Sequence, residues 1–210
     1  MKRLRWGVLW ILGLAACDGM FGDPHVTHPQ DALQIDGKIV FTTSKQYRGG
    51  LIGGVEGADA ICADHASEAG LAGEFKAWLS QVDSSAADRL THSTKPYVLV
   101  NGTEVAGSWD DLLRSDLLHA IDRDEHGAAL TSNGTAAAPV WTATRIDGRA
   151  VPWTPGGTTT ENPRLDCTLW SSIDDGVGLL GAWSATNSAW TATSSGILCS
   201  ETARLYCFQQ

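Results

Sequence analysis

Five cysteines, six histidines and two acidic turns carry most of the chemistry that this 210-residue chain could perform. Cys17 stands apart from the other thiols. It closes an apolar run over residues 6–16 that Lys2, Arg3 and Arg5 precede. Such a run is too short to span a bilayer and suits the apolar region of an export signal. Cys62, Cys167, Cys199 and Cys207 then form an even set in an exported chain, which reads as two disulfides with three pairings open. No close cysteine pair has the short spacing of a structural zinc site. The histidines, at positions 25, 28, 65, 92, 119 and 126, are scattered. There is no His-Glu-x-x-His, no nucleophile elbow and no phosphate-cradling loop. No catalytic residue and no metal ligand is assigned.

The acids suggest a different chemistry. Calcium takes six to eight oxygens, so several carboxylates and carbonyls must converge on it. Glu161-Asn162-Pro163 and Asp174-Asp175-Gly176 are the stretches that could contribute, which makes Glu161, Asn162, Asp174 and Asp175 candidate ligand contacts and calcium the one cofactor in view. Among nine tryptophans, Trp153 lies between Pro152 and Pro155 and is the best candidate for an exposed aromatic contact. Trp141, Trp170 and Trp190 adjoin strand or cysteine positions and are expected in the core. The formal charge is −9, and no Lys/Arg cluster exists beyond the first five residues, so nucleic acid is excluded as a partner. Removing residues 1–16 takes away three cations and no acid, leaving −12.

The elements that must position these residues follow from periodicity. Residues 1–16 read as a signal peptide, 17–36 as a polar tether with His25 and His28 solvated, and 37–210 as one domain. GKIVFTTS is expected to be a strand. Ala58, Ile61, Cys62, His65, Ala66 and Ala69 share one helical face, which turns Cys62 inward and makes His65 a hydrogen-bonded core residue. Gly70 suits the left-handed end of that helix. Phe75, Trp78 and Leu79 are expected core, SSAADRL a second short helix, PYVLV a strand, and SWDDLLRSDLLHAI a capped helical segment with its leucines inward. Beyond residue 131 the composition turns to Gly, Ser, Thr and Trp, with short strand-like runs at PVWTATR, AWTATSS and ARLYCFQ. The shared Trp-Thr-Ala-Thr is too short to establish a repeat.

These residues resemble a known family. Gly57-Ala58-Asp59, Cys62 and AGLAGEFKAWLS are similar to the first helix and following strand of the endostatin module of basement-membrane collagens. VWTATRIDGR, CTLW and RLYCF extend the resemblance over roughly residues 40–210. Leu14-Ala15-Ala16-Cys17 resembles a bacterial lipobox, and bacterial lipoproteins carrying such a domain of unknown function include the leptospiral endostatin-like adhesins. The resemblance implies an α+β, C-type-lectin-like fold with two short helices, a mixed or antiparallel sheet and a long loop-rich half. It implies the disulfides Cys62–Cys207 and Cys167–Cys199. It also implies acylation of Cys17, which would hold the chain to a bilayer of the bacterial cell envelope. Asp18 resembles an inner-membrane retention signal of enteric bacteria.

Endostatin's zinc and heparin sites do not carry over, since they use histidines at a free amino terminus and clustered arginines. Lectin-type calcium chemistry is altered too, because Glu-Asn-Pro replaces Glu-Pro-Asn and no Trp-Asn-Asp is present. The expected function is therefore non-catalytic, adhesin-like binding of an extracellular or envelope protein or glycan through the long loop region. A calcium-dependent carbohydrate-binding lectin is the alternative, and an envelope enzyme ranks below both.

Overall fold

The computed structural model describes residues 36–131, 138–152, 164–174 and 176–210. The expected signal peptide, Cys17 and the expected tether, apart from Asp36, lie outside them. The described chain is α+β, with ten strands, one helix of several turns and a few single turns. Its first strand, β1 (Lys38–Thr42), follows a run of apolar and β-branched residues. Strands β2 (Tyr47–Arg48) and β3 (Phe75–Ala77) flank helix α1 (Gly54–Glu68), and α2 (Ala86–Arg89), β4 (Tyr97–Leu99), β5 (Glu104–Ala106) and α3 (Trp109–Leu112) follow. The second half holds β6 (Pro139–Trp141), β7 (Val177–Ala182), β8 (Gly196–Leu198), β9 (Thr202–Ala203) and β10 (Tyr206–Gln209).

A five-stranded mixed sheet, ordered β3-β10-β1-β4-β5, is the frame. Strand β1 runs antiparallel to β10 and parallel to β4, so both ends of the described domain meet in its centre. Both faces are buried, and alternation decides which residue goes where. Val40, Tyr206 and Phe208 enter one apolar cluster with Trp78, Trp109 and Trp190. Phe41 and Cys207 enter the other with Phe75, Leu79, Trp141 and Trp170. The β6-β7-β8 sheet and the β2–β9 pair complete the loop-rich half.

Helix α1 covers the second face and packs on β3 and β10. Ala58, Cys62, His65 and Ala66 are its buried side chains along the expected stripe, and such small residues let the helix come close to the sheet. Its end is a Schellman turn: Gly70 (φ +70°) donates to the Ser67 carbonyl at 3.1 Å and Leu71 to Ala66 at 2.9 Å. Cys62 is bonded to Cys207 and Cys167 to Cys199, the two pairs that the resemblance implies. The first ties α1 to β10 across 145 residues, and the second closes 32. Loop entropy puts their contributions at about 5 and about 3.7 kcal/mol before strain is subtracted.

Three local expectations change. The helices are not two short ones: α1 has 15 residues, whereas α2 and α3 are single turns. The helix expected over SWDDLLRSDLLHAI stops at Leu112: Leu113 N still reaches Trp109 O at 3.2 Å and Arg114 N reaches Asp111 O at 3.1 Å, but the amides of the following turn bond elsewhere. Leu117 N donates to Thr186 O at 2.7 Å and Leu118 N to Val105 O at 2.9 Å. Leu118 is consequently 68% exposed rather than inward. AWTATSS is not a strand either. Asn187 caps a 3-10 turn, Ser188–Trp190, and sends Thr191 inward. There the two Trp-Thr-Ala-Thr runs meet: Thr142 Oγ1 donates to Thr191 O at 2.6 Å, and Thr191 Oγ1 to Thr144 O at 2.9 Å.

Candidate functional site

The long-loop candidates divide sharply. Trp153, Glu161, Asn162 and Asp175 lie outside the described residues. Asp174 is exposed, its amide donating to Ser172 Oγ at 3.4 Å. Among the described residues, no group of three or more His, Cys, Asp or Glu side chains is arranged to hold a metal.

Among the described residues, Pro152 and Arg164 line one small pocket of about 10 Å³ with Ala143 and Asp166. Asp166 is saturated: Arg164 Nε and Nη2 reach it at 2.9 Å each, and Val82 N donates to Oδ2 at 3.1 Å. Directly after it, Cys167–Trp170 forms a left-handed turn with φ of 47, 53, 59 and 55°. That conformation costs roughly 1–2 kcal/mol per non-glycine residue. The disulfide to Cys199, the Trp170 N–H to Asp166 O bond (2.6 Å) and the Trp170 Nε1–H to Ser80 O bond (2.8 Å) hold it in place. Gly50 lets this turn approach the core, since a Cβ there would sit 2.0 Å from Ser172 O.

Trp141, Trp170 and Trp190 are fully buried, as expected. Trp141 donates to Tyr47 O at 2.7 Å. The Trp190 indole nitrogen is buried without a hydrogen-bond partner.

Sequence reading placed His65 in the core but missed its company. His65 Nδ1 lies 2.7 Å from Glu125 Oε1, and Nε2 lies 2.7 Å from the Tyr47 hydroxyl. Ser44 gives Glu125 both its hydroxyl and, at 2.9 Å, its amide. An Asx turn aims Glu125 inward, with Asp124 Oδ1 accepting from His126 N (3.0 Å) and Ala128 N (2.9 Å) and Gly127 at φ +78°. Arg204 Nη1 braces the opposite wall by donating to the Thr43 and Ser44 carbonyls. Burial pushes the Glu125 carboxyl up, but hydrogen bonds from His65 and Ser44 overcome it and hold the group at about 2.

Since an ionised carboxylate only accepts, Nδ1 of His65 carries the proton and Nε2 faces Tyr47. A Tyr–His–Glu chain has the outline of an activated nucleophile. Burial, then the charges of Glu125, Glu68 and Asp64, raise the Tyr47 hydroxyl, which keeps it protonated. The cluster joins α1, the β1–β2 turn and the 124–128 turn. It is a clamp.

Two open grooves occur on the first-cluster side. One, of about 310 Å³, runs along β5 between Glu104, Asp111, Arg114 and the exposed Leu118. The other, of about 200 Å³, lies between the segment after α2 and the start of α3. No protein-family model matches the chain, and no curated protein matches it significantly.

Proposed function

We propose that this chain is a lipid-anchored, non-catalytic binding protein of the bacterial cell envelope. Its domain is of the C-type-lectin-like, endostatin-like kind, displayed on a tether from an acylated Cys17. It recognises a protein or glycan through the long region between the two Trp-Thr-Ala-Thr runs, with Trp153, Glu161, Asn162, Asp174 and Asp175 as the candidate contacts. The observation that carries the reading lies within that region: two consecutive devices, the Arg164–Asp166 pair and the disulfide-bound left-handed turn, fix the backbone over residues 164–170. A loop held on a rigid frame is where a scaffold puts recognition. Inside the domain, Glu125 is meanwhile paired with His65, and Arg89 with Asp59.

The test presents the full-length chain to an array of glycans and matrix proteins, with calcium and again with a chelator. Calcium-insensitive binding that Trp153→Ala abolishes supports the reading. Calcium-dependent glycan binding lost in Asp174→Asn replaces it with the lectin alternative. A folded protein silent on every spot, or binding that Trp153→Ala leaves unchanged, overturns the assignment of the loop. The anchor has its own assay, since Cys17→Ala should move the protein out of the membrane fraction.

A further inference from the structure

The groove beside α3 is built to accept hydrogen bonds. His92, Ser93, Thr94, Ser108, Trp109 and Asp110 line it. The imidazole of His92 lies flat on the buried Trp109 ring, with centroids 4.0 Å apart and planes 11° apart. His92 Nε2 is 2.8 Å from the Ala87 carbonyl, which can only accept, so Nε2 carries the proton. In the neutral ring Nδ1 is then a bare lone pair. Stacking and this bond together fix where the lone pair points.

The serines have already used their protons. Ser93 Oγ donates to Lys95 O at 3.1 Å, and Ser108 Oγ donates to Asp111 Oδ2 at 2.8 Å. The Asp110 carboxylate is exposed at the groove's edge. Asp111, one residue on, lines the other groove and lies 3.5 Å from Arg114 Nε, so Asp110 is the carboxylate this groove offers. The neighbouring cation Lys95 is 3.1 Å from Asp36.

A ligand for this site must supply donors and positive charge, and it must be flat enough to lie against an aromatic plane. A guanidinium meets all three conditions. It is planar, permanently charged, carries five N–H donors, and pairs with a carboxylate while stacking on rings. An ammonium would satisfy the charge but not the plane. The volume, about 200 Å³, suits a side-chain head group rather than a whole folded element. We propose that this groove binds an arginine side chain of a partner polypeptide, with the guanidinium stacked over His92 and paired with Asp110. None of the residues that line the groove belongs to the region proposed above for recognition, so its failure would leave that reading intact.

The experiment titrates N-acetyl-arginine-N-methylamide into the isotope-labelled full-length protein and follows the backbone amides of His92, Ser93, Thr94 and Asp110. The expected result is saturable shifts at these amides with millimolar affinity. The citrulline analogue, isosteric but uncharged, should produce none, and the lysine analogue should bind more weakly. Free L-arginine, whose carboxylate would be repelled by Asp110, should also bind more weakly than the capped form. That difference separates a peptide source from the free amino acid.

Asp110→Asn and His92→Ala should each weaken binding about tenfold. Glu104→Gln, in the neighbouring groove, should leave it unchanged. A dispersed amide spectrum confirms that each variant is folded. Equal shifts with citrulline, the same affinity in Asp110→Asn, or no shift at these amides at saturating probe would each overturn the proposal.

Discussion

Replacing Glu125 by glutamine is the sharpest test of the clamp. The carboxyl moves from its ordinary 4.5 to about 2 on folding. At about 1.4 kcal/mol per tenfold change, that shift is worth about 3 kcal/mol. The sign follows from the direction. A carboxyl whose folded value is depressed contributes fully above about pH 4.5, and the contribution is lost as pH falls towards about 2. The side chain is only 2% exposed, so solvent screening removes little of it.

The substituted amide would keep one acceptor oxygen, lose the charge, and bury its own hydrogens against the Ser44 donors. Urea unfolding of wild type and Glu125→Gln, followed by circular dichroism under oxidising conditions, should give a gap of about 3 kcal/mol near neutrality. That gap should narrow below about pH 4.5 and shrink by about pH 2 to what the buried amide hydrogens alone cost. Other carboxylates, Asp147 beside Arg145 among them, titrate in both proteins and cancel in the difference. A gap independent of pH, or one below about 1 kcal/mol at neutrality, would refute the account of a charge held by hydrogen bonds.

Three further outcomes follow from the packing. Removing Cys62–Cys207 by paired serine substitution should cost up to about 5 kcal/mol against about 3.7 for Cys167–Cys199; urea midpoints in the reverse order would refute loop closure as the cause. Gly50→Ala should cost about 3 kcal/mol, because its Cβ would lie 2.0 Å from a backbone oxygen, whereas Gly70→Ala, open in space but at φ +70°, should cost about 1, as read from thermal melts. Thr191→Val removes the acceptor for Trp78 Nε1–H (2.7 Å) and the donor to Thr144 O, so the loss should reach about 2–3 kcal/mol, while the partly buried Thr193→Val stays under about 1.

Sequence was legible where the cause was local. The stripe of α1, its glycine stop, the buried run of β1 and the capped start of α3 are decided by residues within one or two turns of each other, and the structure has them. It misled where tertiary partners outbid propensity. The leucine-rich stretch after Leu112 has helical spacing, yet Val105 O and Thr186 O claim its amides and Leu118 turns to solvent. AWTATSS has strand composition, but its threonines are drawn into a buried network with the earlier Trp-Thr-Ala-Thr run.

The same reasoning explains why the polar centre of the domain went unseen. Glu125 and Ser44 are 81 residues apart, and His65 is 60 from Glu125. Nothing in DRDEHG marks Glu125 as the one of its three acids that meets His65 and Ser44. The local signal that did exist was the turn itself: Asp124 three residues before Gly127 specifies an Asx turn whose second residue points inward. A carboxylate there must find donors or be expelled, because an unpaired buried charge costs several kcal/mol. Helix α1, with a histidine on its buried face, supplies one, and Ser44 at the end of β1 supplies two more. The clamp is therefore a consequence of topology: it forms only after β1, α1 and the 124–128 turn have come together, and it then holds them.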